Sequence, residues 1–334
     1  MVAIDSNKTV LIDLEKIKDP FSGLGQFCYY LKKEFDQAHL SINYFMPDNK
    51  KLFRFFPFLI PHCDIFHAIH QDCPYIPFYK MTKYILTIHD LNAIYEAKNE
   101  KEKNKFIRAL SIKIKRADII TFISEFTFNE TKKYFNLKDK KTVIIYNGIS
   151  LPDFSQIPKY QSNKPFLFSI GTVLPKKNFH VLIDMMKELP DFELIIAGTT
   201  FHPYAKEILN KINDEKLFDR IHLVGTISNE EKKWYYENAK AFVFPSLFEG
   251  FGLPIAEAMA HGLPLFLSDK TSIPEIGGPD AYYFKSFNSS EMAETIKIGL
   301  DNFSEAKKIK LIEHSQKFNW KNAAEKYLEI YKSL

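Results

Sequence analysis

Short unbroken apolar runs alternate with amphipathic stretches from one end of the chain to the other. TVLIDL (9–14), YILTIHD (84–90), DIITFIS (118–124) and TVIIYNG (142–148) predict buried strands in the first half. PFLFSIG (165–171), FELIIAG (192–198), IHLVG (221–225), AFVFPS (241–246) and LPLFLSD (263–269) predict them in the second. Continuous apolar runs mark strands covered on both faces, and the helical stretches between them mark parallel βαβ units. The segment SLPDFSQIPKYQSNKP, from Ser150 to Pro165, holds three prolines and no apolar periodicity. It reads as a linker between two doubly wound α/β domains of similar size. Open parallel sheets bind ligands beyond the carboxyl ends of their strands. Two such domains facing each other would make an interdomain cleft, a common setting for a site.

Composition adds boundaries to this picture. At 334 residues the chain can build two cores, and 46% hydrophobic with 26% charged residues is an ordinary globular balance. The 45 basic and 41 acidic residues leave a net charge of +4, too even to argue for nucleic acid. Cys28, Cys63 and Cys73 form no CxxC pair and no even framework, as expected of buried thiols in a reducing compartment. The opening MVAIDSNKTVLIDL has no signal-peptide pattern, and no run of eighteen apolar residues occurs. The expected location is cytoplasmic, with the inner membrane surface as a possible peripheral contact. Two stretches invite that contact. KKLFRFFPFLIP (50–61) interleaves basic and aromatic residues, and 98–117 sets Phe106, Leu110, Ile114 and Ala117 on one helical face beneath many lysines. The second is equally readable as a surface helix packed on a sheet, and Glu100 and Glu102 weaken its electrostatic case.

The candidate chemistry lies in two stretches of the second half. In FEGFGLPIAEAMAHGLP (248–264) a strand ends, a glycine loop follows, and Pro254 fits the first turn of a helix. Gly250 and Gly252 let backbone amides approach a ligand, and the helix N-terminus favours an anion. Glu249 sits in the loop and Glu257 in the helix, where carboxylates can accept hydrogen bonds from sugar or ribose hydroxyls. The plainer reading is a strand-to-helix turn whose glutamate suits the helix dipole. In SIGTVLPKKNFHVLI (169–183) a strand ends at Gly171 and a short loop presents Lys176 and Lys177. Lysines after a strand end can clamp a diphosphate; elsewhere such a pair is a solvated surface pair.

These residues resemble a family. The E-x7-E stretch is similar to the signature region of retaining nucleotide-sugar glycosyltransferases of family 4, which have the GT-B fold, and GTVLPKKN resembles their phosphate loop, with Lys176 where Arg is frequent. GLGQF (23–27) resembles the N-terminal glycine loop, with Gln26 in place of the usual Arg. DIFHA (64–68), TIHDL (87–91), FISEFT (122–127), IYNGI (145–149) and FNWKNAAEKYLEIY (318–331) also look like family segments.

The resemblance implies an α/β GT-B fold, with an acceptor-side Rossmann-like domain at 1–155 and a nucleotide-sugar-binding one at 163–318. The C-terminal helix, 319–334, would pack back on the first domain. It also implies roles. Glu257 would accept the ribose hydroxyls, and Glu249 would face the donor sugar. Backbone amides at Phe251, Gly252 and Leu253 would hold sugar hydroxyls and phosphate. Lys177, helped by Lys176, would stabilise the departing diphosphate beside Gly171 and Thr172. Thr226 would contact the base, Gly23 and Gly25 would bring the N-terminal loop against the diphosphate, and His89 would orient sugar or acceptor. No Asp-x-Asp occurs, and the lysines with the helix N-terminus would supply the positive field, so no metal or other cofactor is expected. The implied activity is retaining hexosyl transfer from a nucleotide diphosphate sugar to a glycan or lipid-linked acceptor. GTVLPKKN together with GLG most resembles members that build bacterial polysaccharide and lipopolysaccharide, with GDP-mannose the first donor to test. A nucleotide-sugar epimerase, a phosphorylase or a non-catalytic binding protein would share the same architecture.

Overall fold

The structure is a computed structural model that describes residues 8–19, 22–37 and 42–334. The chain divides into two compact units, residues 1–148 with 318–334, and residues 149–317.

The first unit holds six strands: β1 (Val10–Asp13), β2 (Ile42–Phe45), β3 (Ile65–Ala68), β4 (Lys83–Ile88), β5 (Ile119–Phe122) and β6 (Lys141–Ile144). They form one parallel sheet in the order β2-β1-β3-β4-β5-β6. Its helices are α1 (Gly23–Gln37), α2 (Lys50–Phe55), α3 (Asn92–Tyr95), α4 (Glu100–Arg116), α5 (Glu125–Tyr134) and the last of the chain, α13 (Trp320–Ser333). One sheet face packs with Phe27 and Leu31 of α1 and with Trp320, Tyr327 and Tyr331 of α13. The other packs with Leu110 and Ile114 of α4. The amphipathic stripe of α4 is therefore buried in the core, with Phe106 packed beside it and Ala117 closing the helix.

The second unit has β7 (Phe166–Ile170), β8 (Glu193–Ala197), β9 (Ile221–Gly225), β10 (Ala241–Phe244), β11 (Leu265–Ser268) and β12 (Tyr282–Phe284). They too form one parallel sheet, ordered β12-β11-β10-β7-β8-β9. Its helices are α6 (His180–Lys187), α7 (Pro203–Asp214), α8 (Asn229–Asn238), α9 (Leu253–Ala260), α10 (Ile273–Gly277), α11 (Ser289–Asp301) and α12 (Glu305–Ser315). Start signals are plain in the sequence, as in the capping box of α8 between Ser228 and Glu231. The proline-containing segment after residue 149 packs on this unit: Lys233 donates to the Pro152 carbonyl, and Tyr160 donates to Glu193.

Nine strands follow the apolar runs, and three do not announce themselves. β2 is a short edge strand with Asn43 and Tyr44 in it, and β12 has only three residues. β3 carries a histidine at its centre, and burial explains how that is tolerated. His67 Nδ1 lies 2.8 Å from the Tyr331 hydroxyl, and Nε2 lies 2.7 Å from Thr87 Oγ1. Both ring nitrogens are satisfied, so the polar side chain carries little penalty and fixes α13 to the sheet.

Each sheet reverses its strand order once, between β1 and β3 in the first unit and between β7 and β10 in the second. Those switch points are where an open α/β sheet leaves a crevice for a ligand.

Candidate active site

In the second unit the chemistry-bearing segments converge on the switch point. The loop after β7 carries Lys176 and Lys177, and the loop after β10 carries Glu249. Two bonds tie the loops together, for the Lys176 carbonyl accepts from Leu247 N–H (2.7 Å) and from Ser246 Oγ (3.2 Å). Lys177 Nζ then reaches Glu249 Oε1 at 2.5 Å and lies 5.1 Å from the Phe244 ring centroid. The pair is only partly wet, with side chains 12% and 14% exposed. Thr271 and Ser272, in the loop after β11, hold the glutamate loop from behind. Glu249 N–H donates to Thr271 Oγ1, and Ser272 Oγ donates to the Glu249 and Phe251 carbonyls, each at 3.0 Å.

Beside this pair the sheet edge is stripped of side chains. β7, β8 and β9 end next to one another at Gly171, Gly198 and Gly225, linked by Gly171 N–H to the Ala197 carbonyl (2.9 Å) and Gly198 N–H to the Gly225 carbonyl (2.7 Å). A Cβ on Gly198 would lie 2.0 Å from the Gly171 carbonyl oxygen, which its neighbours forbid. Gly225 is different: a Cβ there would meet nothing within 4 Å, and only its φ of +75° calls for glycine. The result is a backbone shelf flanked by Thr172 and by the exposed Thr226. Thr226 also borders a cavity of about 620 Å³ along β9, lined by Tyr160, Phe218 and His222 among others.

α9 starts without a capping side chain. Gly252 stands at the cap position with φ +102°, followed by Leu253 and Pro254. Glu257, one turn in, is buried and faces α8. Its Oε1 takes Lys232 Nζ at 2.6 Å and its Oε2 accepts from the Tyr236 hydroxyl at 3.0 Å. Burial, then the Glu257 charge, pushes the Tyr236 hydroxyl well above its ordinary range. The two glutamates of the motif thus have separate anchors, a lysine for each. Lys232, Tyr236, Thr271 and Ser272 were not legible as site residues, since their only signal is the contact itself.

In the first unit the residues gather at the carboxyl edge of β1, β3 and β4. Gln71 organises them: its Oε1 accepts His89 N–H (3.0 Å), and its Nε2 donates to Asp90 Oδ1 (3.3 Å). The His89 ring donates from Nε2 to the Ile69 carbonyl (2.7 Å), because a carbonyl can only accept. That tautomer leaves Nδ1 as the acceptor. Burial holds the ring neutral, with its pKa pushed down to about 4. Asp90 Oδ1 also accepts from Asn92 N–H, at the first residue of α3 (2.9 Å). A cavity of about 300 Å³ lies nearby, lined by Arg54, Gln71, Asp72, Phe106, Ile112 and Lys113.

GLGQF is helical, not a loop: α1 begins at Gly23, with Ser22 Oγ accepting from Gly25 N–H. Gly25 is a packing glycine, since a Cβ there would fall 1.7 Å from the Asp19 carbonyl oxygen. Gly23 has open space where a Cβ would point. At the switch point itself stands a pair that sequence reading passed over, His70 Nε2 facing Asp13 Oδ2 at 3.8 Å. Burial pushes Asp13 up to about 6 and His70 down to about 3.

Three buried histidines, His67, His70 and His89, have pKa values near 3 to 4, below the ordinary 6.5. Below pH 6.5 the unfolded chain takes up protons that the folded chain refuses, so stability is full above that pH and falls toward the folded values. The loss is about 2 kcal/mol per histidine by pH 5. Asp13, raised from 3.8 to about 6, works the other way and returns about 1 kcal/mol at pH 5. Urea unfolding of Trp234→Phe, followed by Trp320 fluorescence, should therefore show the first unit losing about 3–5 kcal/mol between pH 7 and pH 5. A flat profile would mean that these rings are hydrated in the folded state.

Comparison with known proteins accounts for nearly the whole chain. Residues 23–152 match the model of Glycosyltransferase Family 4, and residues 152–317 match that of Glycosyl transferases group 1. The O-antigen chain mannosyltransferase RfbU of Salmonella typhimurium is 30% identical over 64% of this chain and 59% of its own length. The O-antigen chain mannosyltransferase B of Escherichia coli is 25% identical over 80% and 74%. Matches to the Escherichia coli serotype-specific mannosyltransferase WbdA span less than a third of that protein (28% of its length). Among solved structures, sucrose-phosphate synthase of Thermosynechococcus elongatus superposes with TM-score 0.79 at 18% identity, over 98% of this chain and 99% of that one. Anabaena HepE, solved with UDP and glucose, gives 0.75 at 17% identity, over 98% and 100%. With two adjoining family models spanning residues 23–317 and two parallel α/β sheets of the matching fold, the chain belongs to the family 4, group 1 glycosyltransferases of the GT-B fold.

Proposed function

We propose that this chain is a retaining hexosyltransferase that uses a nucleotide diphosphate sugar, with GDP-mannose the donor to test first, and builds cell-surface polysaccharide. The observation that carries the reading is the meeting of Lys177 with Glu249, 72 residues apart, at a switch point beside a shelf without side chains. Breaking the bond between the sugar and the diphosphate creates an oxocarbenium-like centre and a diphosphate anion. A fixed ammonium and the uncapped start of α9 suit the anion, and a carboxylate suits the cationic centre. Lys177, with Lys176, takes the leaving diphosphate above Gly171 and Thr172, and Glu249 faces the sugar. The backbone at Phe251, Gly252 and Leu253 receives sugar hydroxyls and phosphate. Glu257, fixed by Lys232 and Tyr236, still has lone pairs for ribose hydroxyls. The backbone around Thr226 meets the base. His89 accepts a hydrogen bond from a sugar or acceptor hydroxyl through Nδ1 and so orients it; as a neutral ring at pH 7 it does not serve as an acid. Attack comes from the face the leaving group departs, with a phosphate oxygen of the leaving group taking the acceptor's proton, and the reaction needs no metal. The acceptor is a glycan or a lipid-linked saccharide. The mannose reading draws on two relatives named as O-antigen mannosyltransferases.

A thermal-shift series with UDP, GDP, ADP and their sugar conjugates tests the donor half directly. One nucleotide should stabilise the protein by about 3 kcal/mol at a hundred times its Kd. Stabilisation by GDP and GDP-mannose alone supports the named donor, whereas a flat response to every nucleotide removes the transferase reading.

A further inference from the structure

The first unit displays an aromatic surface that its fold does not use. Phe55 is 70% exposed, Phe78 60% and Met81 87%, and Phe56, Phe58, Leu59 and Tyr79 are exposed around them. Two distant segments make this one patch. The rings run in edge contact from Phe56 to Phe58 (5.9 Å between centroids), on to Phe78 (6.4 Å), and then to Tyr79 (5.4 Å). Soluble surfaces scatter large apolar side chains singly, and a connected cluster marks an interaction site.

Charge selects the partner. Neither residues 50–63 nor residues 74–83 contain an aspartate or glutamate. Lys51, Arg54 and Lys80 stand exposed at the rim and pair with no carboxylate among the described residues. A second copy of the patch would bring like charges together with nothing to neutralise them. An anionic lipid surface supplies what the patch lacks, negative headgroups for the cations and an interfacial layer for the rings. Among the described residues no helix is long and apolar enough to cross a membrane, so contact would be from the surface. α4 offers less, since Leu110 and Ile114 are already buried against the sheet.

We infer that the first unit docks on anionic lipid through the aromatic–cationic patch formed by residues 51–59 and 78–81. The inference stands apart from the donor chemistry, because none of these residues belongs to the second unit.

The test is co-sedimentation of the full chain with phosphatidylcholine vesicles, with and without phosphatidylglycerol. The protein should pellet with the mixed vesicles and stay in solution with phosphatidylcholine alone. Phe58→Ser with Phe78→Ser, and separately Lys51→Gln with Lys80→Gln, should each weaken binding about tenfold. Lys101→Gln with Lys105→Gln on α4 should change nothing. Melting and nucleotide stabilisation of every variant should match the parent, which separates lost docking from lost fold and from failure of the transferase reading. The inference is overturned by a parent that ignores anionic vesicles, by aromatic variants that bind as well as the parent, or by binding lost only in the α4 variant. Self-association of the parent, abolished by the aromatic substitutions and unaffected by vesicles, would overturn it in favour of a dimer.

Discussion

Lys177→Met lowers kcat for sugar transfer by about 100- to 1,000-fold, with a much smaller change in KM. That range is what removal of one preorganised donor to a developing anion costs in other enzymes. Methionine keeps the length and apolar stem, so packing over Phe244 survives and charge is what is lost. The variant has a second effect that must be separated from the first. With Lys177 gone, Glu249 becomes a carboxylate that is only 14% exposed and has lost its 2.5 Å partner, and it would repel a diphosphate. Lys177→Met with Glu249→Gln, read against Glu249→Gln alone, distinguishes the two. If lysine acts on the leaving group, the double variant is slower than Glu249→Gln by a similar large factor. Equal rates in Glu249→Gln and the double variant would mean that Lys177 serves only to neutralise Glu249. Arginine at 177 should retain part of the rate, since the charge remains while the guanidinium fork does not fit the same space.

What could be read from the sequence follows from how each signal is built. A parallel strand buried on both faces must be a continuous apolar run, so nine strands stood out by composition alone. The glycine loop and the lysine loop were legible because both follow such runs directly. The three strands that escaped are short, and one of them, β3, hides a histidine whose partners are 20 and 264 residues away. Long-range pairing of this kind leaves no periodic trace. The same reason conceals Lys232 and Tyr236, which lie i and i+4 on α8 and look there like any polar helix face. It conceals Gln71 and the Asp13–His70 pair too, since a turn residue and a strand end gain meaning only from the sheet order. GLGQF misled for a different reason: glycines suggest a loop, yet here one of them lets α1 start against the Asp19 carbonyl.

Both units put their polar pairs at the strand-order reversal, and the pairs differ in kind. Lys177 and Glu249 sit at the edge of solvent with opposite charges in contact, ready to exchange one partner for a charged ligand. Asp13 and His70 are fully buried, too far apart for a direct bond, and shifted toward their neutral forms. The first arrangement suits a phosphate-bearing donor.

Glu257→Ala destabilises the second unit by about 3–5 kcal/mol, a larger effect than its expected effect on donor binding would require. The cause is what remains behind. Lys232 is buried, its Nζ lies 2.6 Å from Glu257 Oε1, and no other carboxylate is within reach of it among the described ion pairs. Removing the glutamate strands that ammonium and leaves the buried Tyr236 hydroxyl only its longer contact to the Pro254 carbonyl, at 3.4 Å. Replacing both charges, as Lys232→Met with Glu257→Leu, should recover most of the stability, because a buried pair exchanged for apolar residues of similar volume is close to neutral. Urea unfolding of the parent, the single and the double variant measures this coupling. If Glu257 also holds the ribose, the double variant will be folded yet blind to the nucleotide that stabilises the parent. A double variant that is stable and still binds the nucleotide normally would reduce Glu257 to a structural clamp between α8 and α9. The comparison needs the double variant, since loss of nucleotide binding in Glu257→Ala alone follows equally from a unit that no longer folds.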